Sequence, residues 1–150
     1  HIQDAMTAYF TMAAGALEEQ VPIKNGDREV SLQAGGAAHL VVFVGHNGLM
    51  DFSLAPPANS FPELPPRSAA ALSCVSKPYF SERLVAVGAH PLLLTTGLMA
   101  PEAYTLDAVV RTWASGKDTT AVVESAAQVY NQYQKCGIKG ARRLFWGDSD

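Results

Sequence analysis

The chain has 150 residues and a formal net charge of -3 at pH 7, and 48% of its residues are hydrophobic while 17% are charged. This length allows one domain with a substantial core, and the composition is typical of a globular protein and not of a disordered one. Lys and Arg form no cluster of the kind that binds nucleic acid, and the apolar runs are shorter than the ~18 residues of a membrane span, so neither partner is predicted.

The first half of the chain begins with a helical pattern and leads to a buried strand. Apolar residues spaced three and four apart predict an amphipathic helix over residues 2–17. The chain starts at His1 directly in this pattern, which we interpret as a trimmed or processed chain, or as one that lacks a first strand. Residues 21–30 contain the turn sequence Asn25-Gly26-Asp27 and predict a small hairpin or loop. Residues 39–44 are apolar without alternation, which predicts a strand covered on both faces, as in a parallel sheet.

The second half alternates apolar runs with helical patterns. Prolines concentrated between residues 55 and 67 predict an ordered surface loop. After this loop we predict two strands and three helices: strands over residues 69–74 and 91–95, and helices over residues 77–89, 100–115 and 118–135. The aromatic and aliphatic residues of the tail, 144–146, are expected to dock on the domain. This alternation predicts a single α/β domain over residues 1–150, a three-layer sandwich with a mostly parallel sheet.

Two of the predicted strands end at chemically reactive side chains. One ends at Gly45-His46 and the other at Ser73-Cys74. Because sites in open parallel sheets form at the carboxyl ends of the strands, we expect these two side chains to lie at one edge if the strands are neighbours. A thiol nucleophile needs a base within hydrogen-bond reach, and imidazole is the usual one. The glycines beside the histidine permit close approach of a substrate.

The same residue types also have simpler structural roles. A lone cysteine after an apolar run is often a small buried hydrophobe, and a histidine between glycines can be a turn residue. Thr96 after the third strand and Asp51 are candidates for a substrate groove, although each also fits a polar turn or a solvated loop. Neither Cys74 nor Cys136 belongs to a Cys-x-x-Cys pair, and no histidines have metal-ligand spacing, so no metal site is predicted.

Two sequence blocks resemble a known family. The first is "HLVVFVGHNG" at 39–48 and the second is "AAALSC" at 69–74. In this order they resemble the caspase-like cysteine peptidases, such as caspases, legumains, gingipains, clostripain and separase. The resemblance covers roughly residues 36–115 and implies a caspase-like fold, whose first strand has no counterpart in this chain. It also implies that Cys74 attacks a peptide carbonyl, that His46 protonates the leaving amine, that the Gly48 backbone contributes to an oxyanion site, and that no metal or organic cofactor takes part.

Two positions depart from the family pattern. Asn47 stands between His46 and Gly48, where the family usually has glycine directly after the histidine, and Ser73 stands where alanine often precedes the cysteine. We treat Asn47 and Ser73 as further candidates for the substrate groove. Three hypotheses therefore stay open: a cysteine peptidase acting on a peptide or protein, a catalytically inactive caspase-like domain that binds one, and an unrelated α/β protein that binds a small molecule. The sequence predicts neither an oligomeric state nor a cellular compartment.

Overall fold

The computed structural model describes residues 1–55 and 67–149. Within these ranges the elements, in chain order, are α1 (Ile2–Ala13), β1 (Glu18–Asn25), β2 (Arg28–Gly35), β3 (Leu40–Val44), a 3₁₀ turn (Gly48–Met50), β4 (Arg67–Leu72), α2 (Ser76–Ala86), β5 (Ala89–Thr95), α3 (Ala103–Ala114), α4 (Thr119–Gln134), α5 (Ile138–Leu144) and β6 (Phe145–Trp146). The segment predicted as a proline-rich surface loop lies, from 56 to 66, outside the described residues. None of the helices in the described ranges is long and apolar enough to cross a membrane.

The strands form two separate sheets. In the larger sheet the order is β3-β4-β5-β6, with β3 parallel to β4, β4 parallel to β5, and β6 antiparallel to β5. This sheet is therefore mixed. The smaller sheet consists of β1 and β2, which pair antiparallel as a hairpin. The predicted α/β class is confirmed, and the predicted hairpin is present but longer than the turn sequence alone indicates.

Strand β4 is covered on both faces, which explains why its sequence does not alternate. Ala69 and Ala71 belong to one apolar core together with residues of α1, α2 and β3. Ala70 and Leu72 belong to a second core that α3, α4 and α5 help to form. All four side chains are at most 1% exposed. Because helices contribute to the cores on both faces, the strand carries small or apolar residues from Ala69 to Leu72.

The tail docks on the sheet, in line with the prediction, but it does so through a short helix and strand that the sequence pattern does not indicate. Phe145 and Trp146 pair with Thr95 and Leu94 at the edge of the larger sheet. Arg142 of α5 holds Glu124 of α4 through Nε and Nη2, at 2.8 and 2.6 Å. The tail therefore closes the second core beside the carboxyl end of β5.

Candidate active site at the carboxyl edge of the sheet

The register of β3 and β4 brings two reactive residues to the same edge of the sheet. Val44 is the register partner of Leu72, and the Gly45 backbone N–H donates to the Leu72 carbonyl at 3.2 Å. His46 and Cys74 each follow two residues after one of these partners. Because the strands are parallel neighbours, both residues leave the sheet in the same direction, as the sequence predicts.

The side chain of Asn47 joins the two strand ends. Its Nδ2 donates to the Cys74 carbonyl at 2.9 Å and to the Val75 carbonyl at 3.3 Å, while its Oδ1 accepts from the Leu49 backbone N–H at 3.1 Å. The side chain is fully buried. Burying an amide is costly unless its polar atoms are paired, and here both are. The sequence predicts Asn47 as a residue of a substrate groove. Its buried side chain instead fixes the turn that follows β3 to the turn that follows β4.

The turn after Asn47 has room only for glycine at position 48. The same turn brings the Asp51 carboxylate to the His46 imidazole. A Cβ added at Gly48 would lie 2.6 Å from two ring carbons of Phe52 and 3.0 Å from Sδ of Met6. The following residues form the 3₁₀ turn, and Asp51 then places Oδ2 at 2.7 Å from Nε2 of His46. The Gly48 backbone N–H donates to the His46 carbonyl at 3.1 Å, so an oxyanion would have to compete with this hydrogen bond.

The turn after β4 holds the sulfur of Cys74 against the loop that follows β5. Sγ accepts from the Met99 backbone N–H at 3.4 Å and lies 3.5 Å from the Met99 carbonyl oxygen, to which the thiol can donate. Val75 has φ 51° and ψ 38°, a left-handed conformation that is strained for a β-branched residue, and α2 begins directly after it. Cys74 is partly buried, and no hydrogen bond joins its side chain to that of His46 among the described contacts. Backbone strain of this kind is concentrated at functional sites.

A buried network of hydroxyl groups supports this strained turn. Thr95 Oγ1 donates to the Ser73 carbonyl and accepts from the Ser76 backbone N–H at 3.2 Å. In return, the Thr95 backbone N–H donates to Ser76 Oγ at 2.8 Å, and this hydroxyl donates to the Ala71 carbonyl at 3.1 Å. The sequence places Thr95 and Ser76 near this edge but does not indicate that they form a network, because the only signal is a hydroxyl residue at each of two element ends.

Two candidate groove residues have other surroundings. The Ser73 side chain is fully buried, and its hydroxyl has no hydrogen-bond partner among the described residues, so it does not border an open groove. Thr96 Oγ1 donates to the Arg143 carbonyl at 2.6 Å, and its backbone N–H donates to the Leu144 carbonyl at 2.8 Å. Thr96 therefore anchors the end of α5, and it makes no hydrogen bond to His46 or Cys74 in the described part of the chain.

The remaining residues that could carry chemistry are dispersed. Within the described ranges, no group of three or more His, Cys, Asp and Glu residues could hold a metal ion. Cys74 and Cys136 are both free thiols, and Cys136 is exposed after α4. The edge of the sheet that carries His46, Asp51 and Cys74 thus presents an imidazole paired with a carboxylate, and a thiol on the neighbouring strand end.

Comparisons of the chain with protein-family models, with curated proteins and with solved structures found no match.

Proposed function

We propose that the chain is a caspase-like cysteine peptidase domain that hydrolyses peptide bonds through Cys74 and His46. One observation carries this proposal: the two residues leave the same edge of adjacent parallel strands, and the Asn47 amide ties their turns together at 2.9 Å. A thiol and an imidazole arranged in this way can act as nucleophile and general acid or base. The sequence blocks that resemble the family are the same ones that end at this edge.

The proposed reaction has two steps. The Cys74 thiolate attacks the carbonyl carbon of a peptide bond, and the carbon–nitrogen bond breaks as His46 gives a proton to the leaving amine. The resulting thioester is then hydrolysed by a water molecule that loses a proton to His46, which releases the carboxylic acid and restores the thiol. Because Asp51 holds Nε2 of the imidazole at 2.7 Å, Nδ1 is the ring nitrogen left to exchange the proton.

Two further contacts support a role for Cys74 beyond packing. The Met99 backbone N–H and carbonyl lie on its sulfur at 3.4 and 3.5 Å and fix its direction. Val75, the next residue, carries the left-handed backbone that turns the chain sharply into α2. A strained turn that buried hydroxyl groups of Thr95 and Ser76 hold in place is typical of a functional site and supports such a role for the partly buried Cys74.

A specific observation also favours the second hypothesis, a catalytically inactive domain that binds a peptide. His46 is engaged by Asp51 and Cys74 by Met99, and the two side chains share no hydrogen bond in the described contacts. Catalytic hydrogen bonds are often long or poorly aligned before substrate binds, so this geometry alone does not rule out the peptidase. The two hypotheses differ in whether a bound peptide is cleaved.

The test is a cleavage assay with a peptide library, in which mass spectrometry identifies new chain ends. Four proteins are compared: wild type, Cys74→Ala, His46→Ala and His39→Ala, the last being a matched control because His39 is exposed before β3. We expect cleavage by wild type and His39→Ala, and a loss of roughly 100-fold or more in the other two variants. Capture of peptides without cleavage would support the binding module, and cleavage by Cys74→Ala would overturn the proposed nucleophile.

Alkylation by iodoacetamide gives a second readout that needs no substrate. Cys136 is exposed while Cys74 is only partly so, and therefore burial alone would make Cys74 the slower of the two. We expect the reverse order at pH 6 in wild type and in His39→Ala, and loss of this preference in His46→Ala. Slower labelling of Cys74 than of Cys136 in wild type would argue against an activated thiol.

A further inference from the structure

The hairpin of β1 and β2 projects from the domain, and only its last two residues, Ala34 and Gly35, are partly buried. Every residue from Leu17 to Gln33 is exposed. The hairpin closes through a two-residue turn at Gly26-Asp27, where Gly26 has φ +63° and Asp27 does not share the positive φ, as in a type II′ turn. A two-stranded hairpin on its own is marginally stable in water. An element of this kind is expected to gain stability by packing one face against something else.

One face of this hairpin is apolar. Register partners in an antiparallel pair share a face, and Val21 faces Leu32 while Ile23 faces Val30. These four side chains are between 39% and 49% exposed. The opposite face is mostly polar and carries the alternate residues, among them Glu18, Gln20, Lys24, Glu29, Ser31 and Gln33. The hairpin is therefore amphipathic, and its apolar face has no cover in the described residues.

Opposite charges flank the apolar face at its two ends. Glu19 pairs with Ala34 at the base of the hairpin, and Arg28 pairs with Asn25 at its tip, so both charged side chains share the apolar face. Both are exposed, and neither takes part in an ion pair among the described residues. From the end nearest the domain to the tip, this face therefore carries an acidic residue, two apolar pairs and a basic residue. A second copy in the reversed direction would present the complementary pattern.

We propose that a second copy of this chain covers the apolar face, with the two hairpins packed face to face and related by a two-fold axis that sets the tip of one against the base of the other. In this arrangement Glu19 of each copy meets Arg28 of the other, and the four aliphatic side chains of each copy are buried between them. A two-fold interface uses the same patch on both copies, which this self-complementary pattern fits. The proposal is independent of the peptidase function, because the hairpin contributes none of the candidate site residues.

Face-to-face packing is favoured over pairing through the edge of β1. Pro22 lies in the middle of β1 and has no backbone N–H, which makes that strand a poor edge for adding another. The apolar face of one hairpin is smaller than the roughly 800 Å² per partner of a standard interface. We therefore expect a reversible dimer with a dissociation constant on the order of 100 μM, which grows more populated as protein concentration rises.

The test is sedimentation velocity of the whole chain over a range from about 10 μM to about 1 mM. Charge exchange identifies the arrangement. Glu19→Lys and Arg28→Glu should each weaken dimerisation about tenfold, whereas the double variant should restore it to within about threefold of wild type. Glu18→Lys is the matched control, because it makes the same charge change on the polar face and should leave the dimer unchanged.

A second pair of variants tests the apolar contact itself. Leu32→Thr introduces a β-branched residue that suits a strand but removes apolar area from the face, and Gln33→Thr introduces the same residue on the polar face. We expect loss of the dimer only in Leu32→Thr. A chain that stays monomeric at every concentration would overturn the proposal and would indicate a different partner for this face. A dimer that is unaffected by Glu19→Lys, or is not restored by the double variant, would overturn the tip-to-base arrangement.

Discussion

The side-chain amide of Asn47 donates a hydrogen bond to the backbone carbonyl of Cys74 at 2.9 Å, across 27 residues of sequence. This contact links the turn after β3, which carries His46, to the turn after β4. Both turns follow neighbouring parallel strands, and the Asn47 amide adds a connection between them beyond the last backbone hydrogen bond of the strand pair, from Gly45 to Leu72. The relative position of the imidazole and the thiol therefore depends on a buried residue that carries no chemistry itself.

Replacing Asn47 by Ala should destabilise the fold and loosen the site. The Cys74 carbonyl and the Leu49 backbone N–H would lose their partner in a fully buried location. Leaving buried polar groups unpaired costs about 1–3 kcal/mol each, so we expect a loss of about 2–4 kcal/mol in the free energy of unfolding. Urea denaturation measures this change. Gln132→Ala, an exposed amide on α4, is the control and should change stability by less than about 0.5 kcal/mol. A loss no larger for Asn47→Ala than for this control would contradict the assigned role.

Replacing Thr95 by Val should weaken the turn that carries Cys74. Valine keeps the shape of threonine but removes the hydroxyl that donates to the Ser73 carbonyl and accepts from the Ser76 backbone N–H. Since Thr95 is fully buried, we expect a loss of about 1–3 kcal/mol in the free energy of unfolding. Ser76→Ala and the double variant complete a thermodynamic cycle, in which a coupling energy near zero would show that the two hydroxyls do not form one network.

The ion pair between α4 and α5 predicts a dependence of stability on acidity. The Arg142 guanidinium, helped by Gln128, lowers the pKa of the Glu124 carboxyl to about 2, from an ordinary value of 4.5. Because this pKa is lower in the folded chain than in the unfolded one, the stabilisation is fully present above pH 4.5 and is lost as the pH falls towards 2. Carboxyl chemical shifts measured by NMR during an acid titration report the value directly.

The Glu124→Gln variant checks that prediction by its effect on unfolding. Stability measured against pH should fall less steeply between pH 4.5 and 2 in Glu124→Gln than in wild type, because one proton-linked group has been removed. Glu82→Gln is the matched control, since Glu82 is exposed on α2 and belongs to no ion pair in the described ranges. Equal slopes for Glu124→Gln and wild type would show that Arg142 does not hold the carboxylate in solution.

The larger sheet and the candidate pair of His46 and Cys74 could be predicted from the sequence, because both depend on local sequence patterns. Runs such as "LVVFV" and "AAAL" lack alternation, which indicates burial on both faces, and each runs directly towards His46 or Cys74. The rule that parallel strands end at a common edge then brings these residues together. The peptidase activity is a proposal that the cleavage and alkylation experiments address.

The hydrogen bonds that support the site could not be predicted from the sequence, because their donors and acceptors lie far apart in the chain. Nothing near Asn47 indicates that its amide donates to a carbonyl 27 residues later in the chain. In the sequence, Asn47 is recognised only as a departure from the family pattern of histidine followed directly by glycine. The contact of Thr96 with Arg143 spans 47 residues and depends on α5, a short helix without a strong pattern of its own. Which side chain pairs with a buried backbone group depends on which segments the folded chain brings together, and the local sequence does not contain that information.

Replacing Asp51 by Asn should distinguish a role in orienting His46 from a role in stabilising the fold. The Asp51 carboxylate lies 2.7 Å from Nε2 of His46, and the two side chains are 65% and 59% exposed. An ion pair this exposed contributes little to folding, so Asp51→Asn should change the free energy of unfolding by less than about 1 kcal/mol. If Asp51 orients the imidazole, however, cleavage of peptides and selective alkylation of Cys74 at pH 6 should both fall by roughly tenfold or more.

The control for Asp51 is a pair of similar exposure that lies on a different element. Asp107 accepts from Arg111 on α3 at 2.8 Å and is 59% exposed, so Asp107→Asn removes a comparable surface pair away from the sheet edge. We expect this control to leave cleavage and alkylation unchanged. Equal rates for Asp51→Asn and Asp107→Asn would mean that the contact with His46 is an ordinary surface pair. A selective loss in Asp51→Asn at unchanged stability would instead make Asp51 a positioning residue, because a purely structural contact would not alter the reactivity of a thiol to which it is not bonded.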